Sequence, residues 1–152
     1  YYLQEISDYK QMIQECFATD QDLLDRWHIS APSDLDTCVE KTYNDLKNAP
    51  TIRMFVINCV TEDTNEIVGF FGHEKAMNMN WLTSFFIKPK FRNKETFNYF
   101  WNCVYDITGN EFFTGIYSHN ERAKKFLEKN GFNLVQITPI KDNINALTYK
   151  NN

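Results

Sequence analysis

Hydrophobic spacing switches repeatedly between helical and strand periods along this chain, and that switching constrains the fold more than any single motif. Tyr9, Met12, Ile13, Cys16 and Phe17 follow i, i+3, i+4, i+7, i+8, the stripe of an amphipathic helix. Ser7 and Asp8 are candidate caps for it. A second helix is expected from Ser33-Asp34-Leu35-Asp36, with Ser33 as cap, Asp34 and Asp36 at the positive end of its dipole, and Asn48-Ala49-Pro50 as its stop. Between them, residues 18–32 read as turn-like, anchored by Leu23, Leu24 and Trp27. The pattern then turns to β-branched and aromatic runs: 51–60, 67–74 and 81–87, with a polar turn at 61–65 and a link at 77–80. Short links make these three strands antiparallel neighbours.

The helical period returns at Asn93, a candidate cap, with the stripe Phe97, Phe100, Trp101, Val104 and a stop at Gly109. A strand follows at 112–117. Next comes a helix capped by Asn120, with Ala123, Phe126 and Leu127 inward and Gly131 at its end. A hairpin of 132–138 with 146–150 closes the chain, and residues 2–6 form a short first strand. The order is β-α-α-β-β-β-α-β-α-β-β, an α/β (α+β) class. It reads as one domain over 1–152, with a helical N-terminal part (1–49) and a sheet with two helices (50–152).

Composition removes several classes. Twenty acidic against 16 basic residues argue against a nucleic-acid face, which needs net positive charge. No apolar run approaches the length that spans a bilayer, so no membrane partner is expected. The start carries no signal-peptide pattern. Cys16, Cys38, Cys59 and Cys103 lie far apart with no metal-ligand spacing, so no metal is expected. Each sits in an apolar-periodic segment, which predicts free thiols in a reducing compartment. No nucleophile elbow, phosphate loop or dinucleotide fingerprint is present. Lys outnumbers Arg twelve to four and Asn is abundant, a bias that suits an AT-rich source.

Three segments carry a resemblance. Asn120-Glu-Arg-Ala123-Lys-Lys-Phe126-Leu127-Glu-Lys-Asn-Gly131-Phe132 is similar to a pattern of Asn-x-x-Ala, an apolar pair, then Gly-Phe. Phe85-Phe-Ile87-Lys-Pro89-Lys-Phe91-Arg92 is similar to a strand exit of apolar residues, Pro, aromatic, Arg. Ile67-Val-Gly69 is similar to an Ile-Val-Gly strand opening. In this order they resemble the GNAT (GCN5-related N-acetyltransferase) superfamily. The match is good over residues 50–135 and elsewhere follows element order.

The resemblance implies a mixed central sheet that splays open, with acetyl-CoA in the splay. Backbone of Phe86, Ile87 and Lys88 would then hold the pantetheine. Arg92 and Lys94 would hold phosphates, and Asn120 would contact the coenzyme arm. Free N–H groups and the dipole at a helix start supply the general attraction for anions.

The same resemblance exposes three departures. The family has small residues at the two positions held here by Glu95 and Phe97, which crowd the phosphate approach and place a carboxylate on the helix dipole. An ordinary helix start explains the same residues. Basic residues Lys88, Lys90, Arg92 and Lys94 stand against the departure, although a solvated strand exit explains them equally well. The family's tyrosine, which returns a proton to the leaving thiolate, falls on Leu127, which has none to give. Tyr117 is a substitute donor or a half-buried strand aromatic. The central strand lacks a carboxylate. His73 and Glu74, on opposite faces of the neighbouring strand's end, are the candidate bases. His119 is a lesser candidate, and His28 has no partner pattern. Tyr99, off its helix's stripe, joins Tyr1, Tyr2 and Trp81 in an expected exposed interface patch.

Two functions are therefore expected. The first is a degenerate GNAT-fold binding or structural module with no cofactor and with a protein partner or a second copy of the chain. Size and the Phe-Leu-x-x-x-Gly-Phe ending resemble short phage-borne GNAT-like proteins, which implies a virion component, so the setting is the cytoplasm or a particle assembled there. The alternative is an active acyl-CoA-dependent N-acetyltransferase on a small amine or protein amine.

Overall fold

The computed structural model describes residues 1–23, 34–49 and 51–151. Its elements are β1 (Tyr2–Ile6), α1 (Lys10–Phe17), α2 (Leu35–Lys47), β2 (Arg53–Val60), β3 (Asn65–Ala76), β4 (Met79–Ile87), α3 (Lys94–Thr108), β5 (Phe113–Tyr117), α4 (Glu121–Lys129), β6 (Asn133–Lys141) and β7 (Ile144–Lys150). The order expected from hydrophobic spacing is the order found.

Local signals account for most boundaries. Asn93 and Asn120 cap α3 and α4 by accepting from the N–H of Thr96 and Ala123. Gly109 and Gly131 end those helices at φ of 82° and 84°, where a side chain would be strained. Two boundaries differ from expectation. Neither Ser7 nor Asp8 caps α1; its N-cap is Tyr9, with no side-chain cap bond. For α2 the capping side chain is Asp34, which accepts from the Thr37 N–H at 2.7 Å. The expected cap Ser33, and the anchors Leu24 and Trp27, lie outside the described residues; Leu23 is buried. β3 and β4 are longer than their apolar runs, because Met77 and Asn78 both take positive φ in a two-residue hairpin turn.

The seven strands form one sheet in the order β1-β2-β3-β4-β5-β7-β6. Every neighbouring pair is antiparallel except β4 and β5, which run parallel. Alternation along the strands divides the core between two faces. Phe55, Ile57, Phe71 and Leu82 pack with Phe100, Val104 and Leu127 of α3 and α4. Met54, Val56 and Phe70 pack with Ile13, Phe17, Cys38 and Leu46 of α1 and α2.

All four cysteines are free, and Cys16, Cys38 and Cys103 are buried. Burial pushes the Cys16 thiol up to about 12 and the Cys38 thiol up to about 11. A thiol titrating that high stays protonated near neutral pH and is a poor nucleophile. Iodoacetamide at about pH 8 is therefore expected to spare Cys16 and Cys38 in native protein and to modify them only after unfolding. Peptide mass mapping checks this, and rapid native modification of Cys16 would contradict it. Among the described residues no helix is long and apolar enough to cross a membrane.

The expected aromatic patch divides between different partners. Tyr1 packs on Tyr99, with ring centroids 5.2 Å apart, and its hydroxyl bonds Thr96 of α3. The Tyr2 hydroxyl accepts from Asn65, while Trp81 packs on Phe113. Tyr1 and Tyr2 are exposed, and further exposed apolar side chains lie on β6, at Leu134, Val135, Ile137 and Ile140.

Candidate functional site: the cleft between β4 and β5

The parallel pair β4/β5 is joined only at Trp81↔Phe113 and Leu82↔Thr114. The Thr114 hydroxyl donates to the Leu82 carbonyl at 2.9 Å and closes the joined end. Beyond it the strands part around a cleft of about 500 Å³. The divergence begins beside a bulge. β3 pairs Gly72 with Ser84 and His73 with Leu82, which leaves Thr83 as the extra residue on β4. Gly72 makes this possible, since a Cβ there would lie 2.5 Å from the Thr83 hydroxyl oxygen.

The cleft reaches through the sheet. On one side lie Thr42, Asp45 and Leu46, one face of α2 at i, i+3, i+4. On the other lie Phe97 and Phe100 of α3 with Arg122, Ala123 and Phe126 of α4. Strand residues 83–87, 114–117 and 146–148 form its walls, with Arg92 and Asn120 beside them. Most of the lining is apolar. Neutral hydrogen-bonding groups stand within it: the hydroxyls of Thr83 and Ser84 are buried with no partner among the described residues. Burial, and secondarily the Asp45 carboxylate, raises the Tyr117 phenol, so it stays protonated at neutral pH.

The expected site residues fall into separate groups. Phe86, Ile87, Arg92 and Asn120 line the cleft. The Asn120 side-chain oxygen is already used as the α4 cap. Lys88 is buried, with its ammonium 3.8 Å from Glu15. Lys94 is exposed at the start of α3. His73 and Glu74 are not among the cleft-lining residues. His73 pairs through Nε2 with the Asn80 side-chain oxygen at 3.0 Å, and Glu74 accepts from the Thr51 hydroxyl at the surface. His119 lies flat against the Tyr117 ring, while His28 is outside the described residues. Leu127, at the family's tyrosine position, is fully buried in the core.

The two bulky residues at the α3 start behave differently. Phe97 lines the cleft and packs on Phe126, centroids 4.9 Å apart. Glu95 is exposed in the first turn of α3 and does not line the cleft. The acid that meets Arg92 comes from elsewhere. Asp20, in the turn after α1, accepts from Arg92 Nη2 at 2.9 Å, with its side chain only 3% exposed. Its other oxygen accepts from the Asp22 N–H at 3.1 Å. The Arg92 Nε donates to the Ile87 carbonyl at 2.8 Å, and the guanidinium lies over the Phe86 ring. Arg92 is thus fixed by an acid, a carbonyl and a ring.

Two further cations of this region also have acids beside them. Lys90 pairs with Glu66 at 2.6 Å, and Arg122 stands 3.9 Å from Asp22. Sequence reasoning missed Asp20, Asp22 and Asp45. Two of them precede a segment without periodicity and the third sits on a helix's polar positions, so nothing local marks them as facing a cleft.

No protein-family model matches this chain, and no curated protein matches its sequence. Solved structures do match its fold. An acetyltransferase from Thermus thermophilus matches at a TM-score of 0.63 and 16% identity, covering 99% of this chain and 96% of that one. A probable GNAT-family acetyltransferase from Chromobacterium violaceum matches at 0.69 and 12% identity, covering 97% and 80%. Spermidine N-acetyltransferase from Vibrio cholerae, solved in complex with CoA and spermine, matches at 0.65 and 14% identity, covering 98% and 93%. The chain has the GNAT fold, and the splayed β4/β5 pair is the gap the resemblance predicted.

Proposed function

We propose that this chain is a binding module on the GNAT scaffold, with the coenzyme's phosphate anchor given over to internal ion pairs. The Asp20–Arg92 pair, with its acid buried and its guanidinium partly so, carries the reading. Arg92 is the cation that the resemblance assigns to phosphate, and a phosphate there must displace a carboxylate held by two hydrogen bonds. Removing one partner of a buried pair is costly, because the other charge is left uncompensated. Phe97 adds bulk where the backbone would approach the phosphates, and Leu127 offers no proton. The exposed apolar side chains of edge strand β6 support a protein partner or a second copy of the chain. The virion setting rests on the likeness to short phage-borne proteins, and the reducing compartment on the cysteines.

The cleft itself favours a second reading, an acyl-CoA-dependent N-acyltransferase. Its open volume, the protonated Tyr117 and the Asp45 carboxylate support that alternative.

One melting experiment separates the two. A ligand at 100 times its dissociation constant stabilises by about 2.7 kcal/mol, or roughly 5–10 °C for a domain of this size. Millimolar acetyl-CoA is expected to move the wild-type midpoint by no more than about 1 °C, with no thiol released in the presence of amines. A rise of about 5 °C that disappears in Arg92→Ala, or steady thiol release, overturns the binding-module reading.

A further inference from the structure

Asn130-Gly131 is the one Asn-Gly pair in the sequence, and Asn130 stands exposed where α4 ends. An asparagine followed by glycine carries its own reaction. The glycine amide nitrogen, once it loses its proton, attacks the asparagine side-chain carbonyl carbon and expels ammonia. Water then opens the cyclic imide at one carbonyl to give aspartate, or at the other to give isoaspartate. Glycine favours the ring closure because no Cβ stands beside the attacking nitrogen.

The folded chain engages both reacting groups. Asn130 Nδ2 donates to the Phe126 carbonyl at 2.7 Å, which turns the side chain back along the helix. The attacking nitrogen of Gly131 donates to the Glu128 carbonyl at 3.1 Å. The next N–H, of Phe132, donates to the Leu127 carbonyl at 3.0 Å, and Gly131 itself sits at φ 84°. The Leu127 and Phe132 side chains are both buried in the core. Ring closure therefore requires the last turn of α4 to open.

We infer that Asn130 is a latent site of spontaneous deamidation, held off by the C-terminal hydrogen bonds of α4, and that the reaction, once it occurs, loosens the helix that walls the cleft. Either product exchanges the side-chain amide for a carboxylate, so the donor to the Phe126 carbonyl is lost. An anion then stands at the negative end of the helix dipole. Isoaspartate also inserts an extra backbone carbon into the turn that Leu127 and Phe132 anchor. α4 supplies Arg122, Ala123 and Phe126 to the cleft. The inference is independent of whether the cleft binds or catalyses.

The chain is incubated in mildly alkaline buffer, native and in denaturing urea, and the Asn130 peptide is mapped by mass, with isoaspartate detected by enzymatic methylation. The native chain is expected to convert at least about tenfold more slowly, because it must first open locally. Asn130→Asp makes the aspartate product directly. It is expected to melt roughly 2–4 °C below wild type and to be cut faster by trypsin within α4, at Lys124, Lys125 and Lys129.

Equal conversion in the native and unfolded chain overturns the inference, as does an unfolded chain that gains no isoaspartate at Asn130. So does a folded Asn130→Asp variant with the midpoint and the trypsin sensitivity of wild type. If that variant does not fold, the converted fraction of aged wild type is separated by charge and melted in its place. An unchanged midpoint there is equally decisive.

Discussion

Gly69→Ala is expected to lower stability by about 3 kcal/mol, near the upper end of what overpacking a core costs, and the melting midpoint by roughly 6–12 °C. A Cβ at Gly69 would lie 2.1 Å from the Phe86 carbonyl oxygen and 3.0 Å from the Ile87 Cα. Both are backbone atoms of β4, so no side-chain rotation relieves the clash. The strand itself must move, at the end of the β3/β4 ladder where Gly69 pairs with Ile87. Gly115→Ala is the control. Its new Cβ would meet only the Leu147 carbonyl at 3.8 Å, an ordinary contact, so it is expected to fall within about 0.5 kcal/mol of wild type. Thermal melts followed by circular dichroism compare the two. Equal midpoints would show that β4 yields at Phe86. The outcome also bears on function, because Phe86 and Ile87 form the cleft wall. A displaced β4 is expected to weaken any cleft ligand along with the fold.

Phe112→Ala is the second large effect, at about 3–5 kcal/mol, the range for truncating a fully buried Phe. The ring is completely buried between Trp101 and Tyr105 of α3 and Phe132 after α4. It joins both helices to the start of β5. Its backbone is held as well, since the Phe112 N–H donates to the buried Asn151 side chain at 2.8 Å. Because Phe112 does not line the cleft, its truncation leaves an enclosed void and not a wider cleft. Phe112→Leu retains most of the volume and is expected to recover more than half of the loss. Chemical denaturation reads both, and a loss below about 1 kcal/mol for Phe112→Ala would show that the surrounding rings collapse into the space.

The three motif segments acquire different physical meanings in three dimensions. Ile67-Val-Gly69 is a packing requirement, since the glycine lets β3 approach the Phe86 carbonyl. Asn120 and Gly131 are the two ends of α4, a cap and a positive-φ stop. The strand exit before Arg92 brings a guanidinium back onto the Ile87 carbonyl and the Phe86 ring. The cap and the stop are local and readable from residue type; the other two roles need β3 and β4 in place. Phe97 lines the cleft and packs on Phe126, whereas Glu95 is exposed outside it, and the carboxylate that pairs with Arg92 is Asp20.

Hydrophobic period, asparagine caps and glycine stops are properties of neighbouring residues. They determined the order of the elements, the ends of α3 and α4 and the face each helix buries, because the physics that sets them acts within a turn or two of chain. Strand order, the parting of β4 from β5 and the neutralising of Arg92 were decided only in the folded molecule. Asp20 and Arg92 are 72 positions apart, and nothing in the turn after α1 or in the exit from β4 specifies the other. Their meeting depends on how α1 lies across the sheet, which is set by the summed packing of both cores and by no local stretch of sequence.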